Sequence, residues 1–536
     1  MKVLLKRVVP VLVSITCVVS LLGGCGKKAS SGTSADEKIK YSVSAYSTGV
    51  SYSNLEEDAL YKEFCDKFNI EFDVTALPAE SFSQKVRLML ASGTTTDVMQ
   101  APFNFSEYLK NADQGLIAPL PDGWEKKYPN LAWTIECSGI KDFLEKTGDG
   151  KVYGIPRTLT IFNQEDSESE NQTKAVNIDS YGLLYRKDWA KKLGIELGPV
   201  VEYDEFMDAV LKMKNADFHD PGREITGISV SYDEAPNLFV TSYNSYYQKF
   251  HKVDGKYVFG LTDPTTLEGM KAYKKAYQDG ILHPNFFAHK DQDAMDRFFA
   301  GNAVAFFSGV GSQATFGNRL KSFSEANPGV NVEETVGLTF VKAPDGKIHG
   351  WENPNQWTIW YLNPDMDEEK MDRILKIFDY ITSKEGFRNW NLGAEGVDYT
   401  LNNGEVELLS WVKQDDGSYL RENTYEMETL LNWMAAEQYQ TVPFLRYSDY
   451  VRNSTTAMRE AKLAEEISIA MLDYNVQYFN GAKYKNFQSN FNVNSMMAEV
   501  IVSDGDLETE WAAKVDGIRG ILDPALEEIN AELAGN

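Results

Sequence analysis

The stretch Trp351-Glu352-Asn353-Pro354-Asn355-Gln356-Trp357-Thr358-Ile359-Trp360-Tyr361 is the densest aromatic run in a chain with ten tryptophans. Flat rings beside planar amide groups suit a ligand with apolar C–H faces and a rim of hydroxyls, which is what a sugar presents. Strand alternation puts Trp357, Ile359 and Tyr361 on one face and Gln356, Thr358 and Trp360 on the other. The three tryptophans of the run therefore cannot all face one cleft, and Trp351, beside Asn353-Pro354, is best placed on a loop. Signals for bond-making chemistry are missing. The five histidines (219, 251, 283, 289 and 349) show no metal-ligand spacing, and no C-x-x-C, G-x-S-x-G or phosphate-loop motif occurs. Carboxylates are abundant and a glycosidase needs two, so hydrolysis is not excluded by their number, but no pair stands in a motif. Gly309-Val310-Gly311-Ser312-Gln313-Ala314 matches G-x-G-x-x-A formally. Without a second strand–helix–strand unit it reads better as a turn where a ligand approaches backbone closely.

These residues need elements to position them. Lys40 to Tyr46 alternates as a strand, and Ser53-Asn54-Leu55-Glu56 is a capping-box pattern before Leu60, Tyr61, Phe64 and Phe68 at helical spacing. Ile70, Phe72 and Val74 alternate again. A second helix carries Phe82, Val86, Met89 and Leu90 and stops at Gly93, and Asp97 to Gln100 is a short strand. Strand–helix units of this length predict a parallel sheet with helices on its faces, with ligands beyond the carboxyl ends of the strands. That rule points to the loops 47–53 and 101–105, with Tyr52, Phe103 and Phe105. Asp254-Gly255 predicts a hairpin, Asp263-Pro264 a helix start, and helical periodicity dominates from Leu430, broken near 479–494.

Residues 8–24 form an uncharged apolar run after Lys2, Lys6 and Arg7, shorter than a membrane span and shaped as an export signal. It ends in Leu22-Gly23-Gly24-Cys25, which resembles the lipobox of bacterial lipoproteins; the resemblance implies cleavage before Cys25 and acylation of its sulfur and new amino group. Losing 1–24 takes the formal net charge from −26 to −29, which repels phosphate backbones and excludes nucleic acid as a partner. The tract Gly26 to Glu37 cannot bury a core and reads as a flexible leash. Cys65 sits in an amphipathic helix pattern as a small buried group, and a Cys65–Cys137 disulfide is an open alternative.

Four further stretches carry a resemblance to the extracellular solute-binding proteins (family 1 type, long lipoprotein subgroup) of bacterial carbohydrate ABC transporters. They are Gln84 to Gly93 followed by Asp97-Val98, Gly115 to Leu120, Gly150 to Pro156, and Leu184 to Gly194. Gly393-Ala394-Glu395-Gly396-Val397-Asp398-Tyr399 is similar to a signature of the longer members. The resemblance implies an α/β, two-lobed periplasmic-binding-protein-like fold (type II), hinged lobes each with a central sheet flanked by helices. The expected division is signal peptide 1–24, lipid-anchored linker 25–38, lobe 1 at 39–165 plus 335–400, and lobe 2 at 166–334 plus 401–536 with a C-terminal helical extension. The implied function is capture of an oligosaccharide between the lobes and delivery to permease subunits, by a monomer held at the extracytoplasmic face of the cell membrane through its lipid alone. The alternatives are a secreted lipoprotein glycoside hydrolase and a peptide- or lipopeptide-binding receptor of the same fold. Candidate ligand contacts are Tyr46, Phe103, Arg157, Tyr243, Trp351 and Trp357, with Asp97, Asn244, Gln313 and Glu395 behind them, and Cys25 as the lipidation site. No catalytic residue and no cofactor are expected. Relatives often carry a calcium loop, but Asn215 to Glu224 lacks the alternating oxygen ligands such a site requires, so Asp217 and Asp220 read as turn and cap residues.

Overall fold

The computed structural model describes residues 38–162, 164, 181–439 and 445–533. The expected export signal, Cys25 and the tract expected to act as a leash, to residue 37, lie outside the described residues. From Ile39 the chain builds two large sheets, each wrapped by helices, and four two-stranded ones. The strands of the two large sheets are β1 (Ile39–Ser47), β2 (Ile70–Pro78), β3 (Val98–Pro102), β4 (Ile155–Ile161), β5 (Gly182–Arg186), β6 (Val200–Val201), β7 (Thr226–Ser229), β8 (Ala303–Ser308), β9 (Val336–Val341), β10 (Gln356–Leu362) and β11 (Ala436–Tyr439). The first sheet runs β11-β4-β10-β3-β1-β2, and only β10 opposes its neighbours. The second runs β6-β9-β5-β8-β7.

The alternating residues fall where the pattern predicts. Ile39, Tyr41, Val43 and Ala45 of β1 are buried, and β1 pairs in parallel with β2 from Ile39↔Ile70 to Ser47↔Pro78. Helix Phe82–Ser92 ends at Gly93, whose φ of 65° is left-handed, a conformation glycine adopts without the clash a Cβ brings. The first helix begins later than the capping-box pattern implies. A short 3-10 turn occupies Leu55–Glu57, and the cap is Asp58, which accepts from Tyr61 N–H. Asp58 also accepts from Met427 N–H, tying this helix to one distant in sequence. The break expected near 479–494 holds a helix, Ala482–Asn490, with Tyr484 and Phe487 buried.

Both lobes have their own core. Helices Pro129–Cys137, Glu368–Thr382, Lys384–Leu392 and Glu426–Met434 pack on the first sheet, and Tyr203–Lys214, Pro264–Gln278 and the C-terminal Leu507–Leu533 contribute to the core of the second. The strand β9 belongs to the second sheet and β11 to the first, so sheet membership differs from boundaries at 334/335 and 400/401. Long-range pairing decides both placements: β9 lies against β5, and β11 against β4. Cys65 is buried and Cys137 half-buried, and no disulfide joins them. Among the described residues no helix is long and apolar enough to cross a membrane.

Asp97 is a clamp within this frame. Its carboxylate accepts from Ser42 N–H at 2.8 Å and Ser42 Oγ at 2.9 Å, and pairs with Lys370 Nζ at 3.0 Å. Burial alone would raise its pKa, but these donors hold it below the ordinary carboxylate value. Replacing it with alanine orphans the Ser42 donors and should cost about 2 kcal/mol of stability. Chemical denaturation checks this, with ligand affinity expected to stay unchanged because Asp97 is not in the cleft described next.

Candidate functional site

Toward the carboxyl ends of the parallel strands of the first sheet lies a cavity of about 860 Å³. Arg157 and Leu159 of β4 and Gln356 and Trp357 at the start of β10 form its floor. Glu428, Thr429, Asn432 and Trp433, on one face of helix Glu426–Met434, form one wall. A hairpin, Trp411–Lys413 with Tyr419–Arg421, and the chain from Asn423 to Tyr425 form another. The second lobe contributes Ala314, in the helix after β8. Tyr447 crosses to that helix, and its ring packs where a Cβ on Gly317 would meet it at 2.6 Å.

Four of the ten tryptophans (357, 390, 411 and 433) line the cavity. Trp357 and Trp433 stand 5.6 Å apart between ring centroids, and each lies 5.0 Å from the Tyr46 ring at the end of β1. Trp357 is 41 % exposed, so its face is open to a ligand. The Arg157 guanidinium sits 4.8 Å from the Trp433 ring and 5.8 Å from Trp357. A second platform repeats the arrangement: the Arg421 guanidinium lies 5.3 Å from Trp411 and 4.9 Å from Tyr425. Trp411 is held by its Nε1–H donating to Leu392 O at 2.8 Å. Aromatic faces alternating with amides and guanidinium groups can stack on sugar rings and bond their hydroxyls.

The wall behind the second platform is built on Asp398, which is fully buried. Its carboxylate accepts from Ala394 N–H and Asn423 Nδ2 at 2.8 Å each, from Tyr425 Oη at 2.5 Å, and from Ser410 Oγ. Burial pushes its pKa up, yet the side-chain and backbone donors outweigh that and leave it lowered. Gly393 has φ 107°, and a Cβ there would collide with this carboxylate. The Gly393 to Tyr399 signature is thus a structural bracket for the cleft wall rather than a contact surface.

Of the residues singled out in the sequence, Tyr46, Arg157 and Trp357 come together here. Gln313 begins the helix that brings Ala314 to the cavity, and its Oε1 is buried without a partner among the described residues. The others lie elsewhere. Phe103 packs on Tyr108 and Tyr478, under helix Tyr474–Gln477. Trp351 packs on Tyr181 beside a separate void of about 30 Å³, too small for a sugar. Asn244 is buried and donates to Gly260 O and Thr266 Oγ1, bracing a turn of the second lobe. Tyr243 is half-buried in the same lobe. Asp97 is the clamp described above, and Glu395 is an exposed residue whose N–H donates to Glu63. Cys25 lies outside the described residues. The 215–224 loop holds a weak Asp220–Arg223 pair at 3.9 Å, and among the described residues no group of three acidic, His or Cys side chains is placed to hold a metal ion.

Sequence reading missed Trp390, Trp411, Tyr425, Glu428, Trp433 and Arg446. A signal was present: Asp416-Gly417, a hairpin turn with Gly417 at φ 79°, is flanked by Trp411 and Tyr419.

A family model described as bacterial extracellular solute-binding protein matches residues 52–386. A Brucella abortus (strain 2308) binding protein is 22 % identical over 407 residues, 74 % of this chain and 86 % of its own length. The fructooligosaccharide ABC transporter substrate-binding protein FusA of Streptococcus pneumoniae serotype 4 (strain ATCC BAA-334 / TIGR4) is 23 % identical over 305 residues, 52 % of this chain and 53 % of its own. The structure of S. pneumoniae FusA in complex with kestose superimposes with a TM-score of 0.58 at 15 % identity, covering 92 % of this chain and 98 % of that one. An extracellular solute-binding protein from Bifidobacterium longum subsp. infantis gives 0.58 at 16 % identity, covering 93 % and 98 %.

Proposed function

The chain belongs to the bacterial extracellular solute-binding protein family and has its two-lobed type II fold, and from that premise we propose that it is the lipid-anchored binding component of an ABC importer for an oligosaccharide. The observation that carries this reading is the cavity of about 860 Å³ with two aromatic–guanidinium platforms and contributions from both lobes. Its volume lies in the upper part of the ~300–1,000 Å³ range of small-molecule sites, and two platforms suit more than one ring. Ligand gripped by both lobes draws them together about the segments that cross between them, and the closed form presents the permease with a surface the open form lacks. Acyl chains on Cys25 hold the protein, as a monomer, at the extracytoplasmic face, with residues 26–38 as the tether. That S. pneumoniae FusA forms a complex with kestose accords with a sugar cargo.

The family, one of solute-binding proteins, supports binding over hydrolysis. Glu428 is bridged by Arg421 and by Arg446, the latter at 2.7 Å, and is a committed acceptor rather than a free acid. Incubation of the purified protein with mixed glycans, followed by chromatography and a thermal scan, tests the reading. Intact sugars should return, and a bound one at 100 times its Kd should add about 2.7 kcal/mol of stability. Fragments in the eluate would identify a hydrolase, and the absence of any stabilising glycan would count against a sugar cargo.

A further inference from the structure

We infer that the sugar taken by this cleft carries a carboxylate, a uronate unit, and that the Arg157 guanidinium receives it; the inference deepens the oligosaccharide reading and rests on it. Arg157 is 3 % exposed. Its Nε and Nη2 donate to the main-chain O and Oδ1 of Asn432, both at 3.2 Å, and among the described residues no carboxylate forms an ion pair with it. The two tryptophans beside it supply ring faces and no counter-charge. Glu437 acts on it electrostatically, but is exposed and short of pairing. Burial accordingly pulls its pKa down to about 10. A guanidinium held out of water with no anion is costly, and a planar carboxylate offsets that cost through paired N–H donors. Neutral hydroxyls need no such fixed charge, because amides satisfy them.

The same surplus recurs at the second platform. Arg421 and Arg446 share one carboxylate, Glu428. Arg421 Nη1 is buried and has no hydrogen-bond partner among the described residues. Asp398, behind it, has its oxygens taken by four other donors. The lining thus carries three arginines against two glutamates, in a chain of net charge −26. A locally cationic cleft in so acidic a protein is a specific feature and not the average of its surface.

Calorimetric titration tests this with oligogalacturonate, oligomannuronate and glucuronate-containing oligosaccharides, each beside its carboxyl-reduced form, with sulfated and neutral sugars of equal length. At least one uronide should bind about 10- to 100-fold tighter than its reduced form, and about 0.5 M NaCl should narrow the gap. Arg157→Gln should weaken binding of the uronide at least about tenfold more than binding of its reduced form, and Arg157→Lys should keep part of the preference. Equal affinity for reduced and uronate forms, tighter binding of a sulfated sugar than of every uronide, or equal weakening of both forms by Arg157→Gln overturns the inference. Neutral sugars binding alone would sink this inference and leave the oligosaccharide reading standing, whereas no sugar binding at all sinks both. If Arg157→Gln fails to fold by circular dichroism, the wild-type comparison of each uronide with its reduced form decides.

Discussion

Trp357→Ala should lower affinity for the bound oligosaccharide by about 30- to 100-fold, the loss of a central aromatic contact worth roughly 2–3 kcal/mol. The ring is 41 % exposed and packs edge-on against Tyr46, so its open face is available for stacking and little of its area holds the fold together. The melting temperature of the free protein should move by no more than about 3 °C. Trp357→Phe, which keeps a flat face, should retain most of the affinity. Titration calorimetry on the three proteins checks this, and a variant that binds as wild type would remove Trp357 from the site.

The largest loss of stability is expected at Asp398. Asp398→Ala leaves four donors facing a buried hole and should destabilise the protein by about 3–5 kcal/mol. Ser410, Asn423 and Tyr425, which it gathers, set the wall that carries Trp411 and Arg421, so affinity should fall with stability. The pH dependence has a definite sign. The folded-state pKa is depressed, so the carboxylate's contribution is present in full above its unfolded value of about 4 and is lost as pH falls through the lowered folded value. Denaturant titrations between about pH 3 and 7 should show wild type losing part of its margin over Asp398→Ala only at the acid end. A margin that is flat across that window would mean that Asp398 is not held ionised.

Much of the frame was legible in the residues, because strand alternation and helical spacing are local. The run Ile39, Tyr41, Val43 and Ala45 predicts β1, and Gly93 predicts the end of the helix before β3. The floor of the cleft was legible for a related reason: Trp357 stands at the start of an alternating strand, and Tyr46 at the end of one. The wall was not. Trp390, Trp411 and Trp433 come from three separate elements that meet only when the hairpin and helix Glu426–Met434 pack over the first sheet. Periodicity after Leu430 reports a helix but not which sheet it covers. Phe103 follows the rule that ligands sit at strand ends, yet Tyr478, 375 positions later in the chain, packs against it. Asp97 and Asn244 carry polar groups that suit a sugar equally well, and their partners Lys370, Gly260 and Thr266 assign them to the scaffold.

A crystal structure of the protein with the sugar that stabilises it most tests the central claim directly. One intact oligosaccharide is expected between the lobes, with a ring face on Trp357 or Trp433 and a polar group of the sugar within hydrogen-bond distance of Arg157. A sugar bound instead in the cavity around Lys249 and Phe491, of about 360 Å³, or recovered cleaved in the crystal, would contradict it.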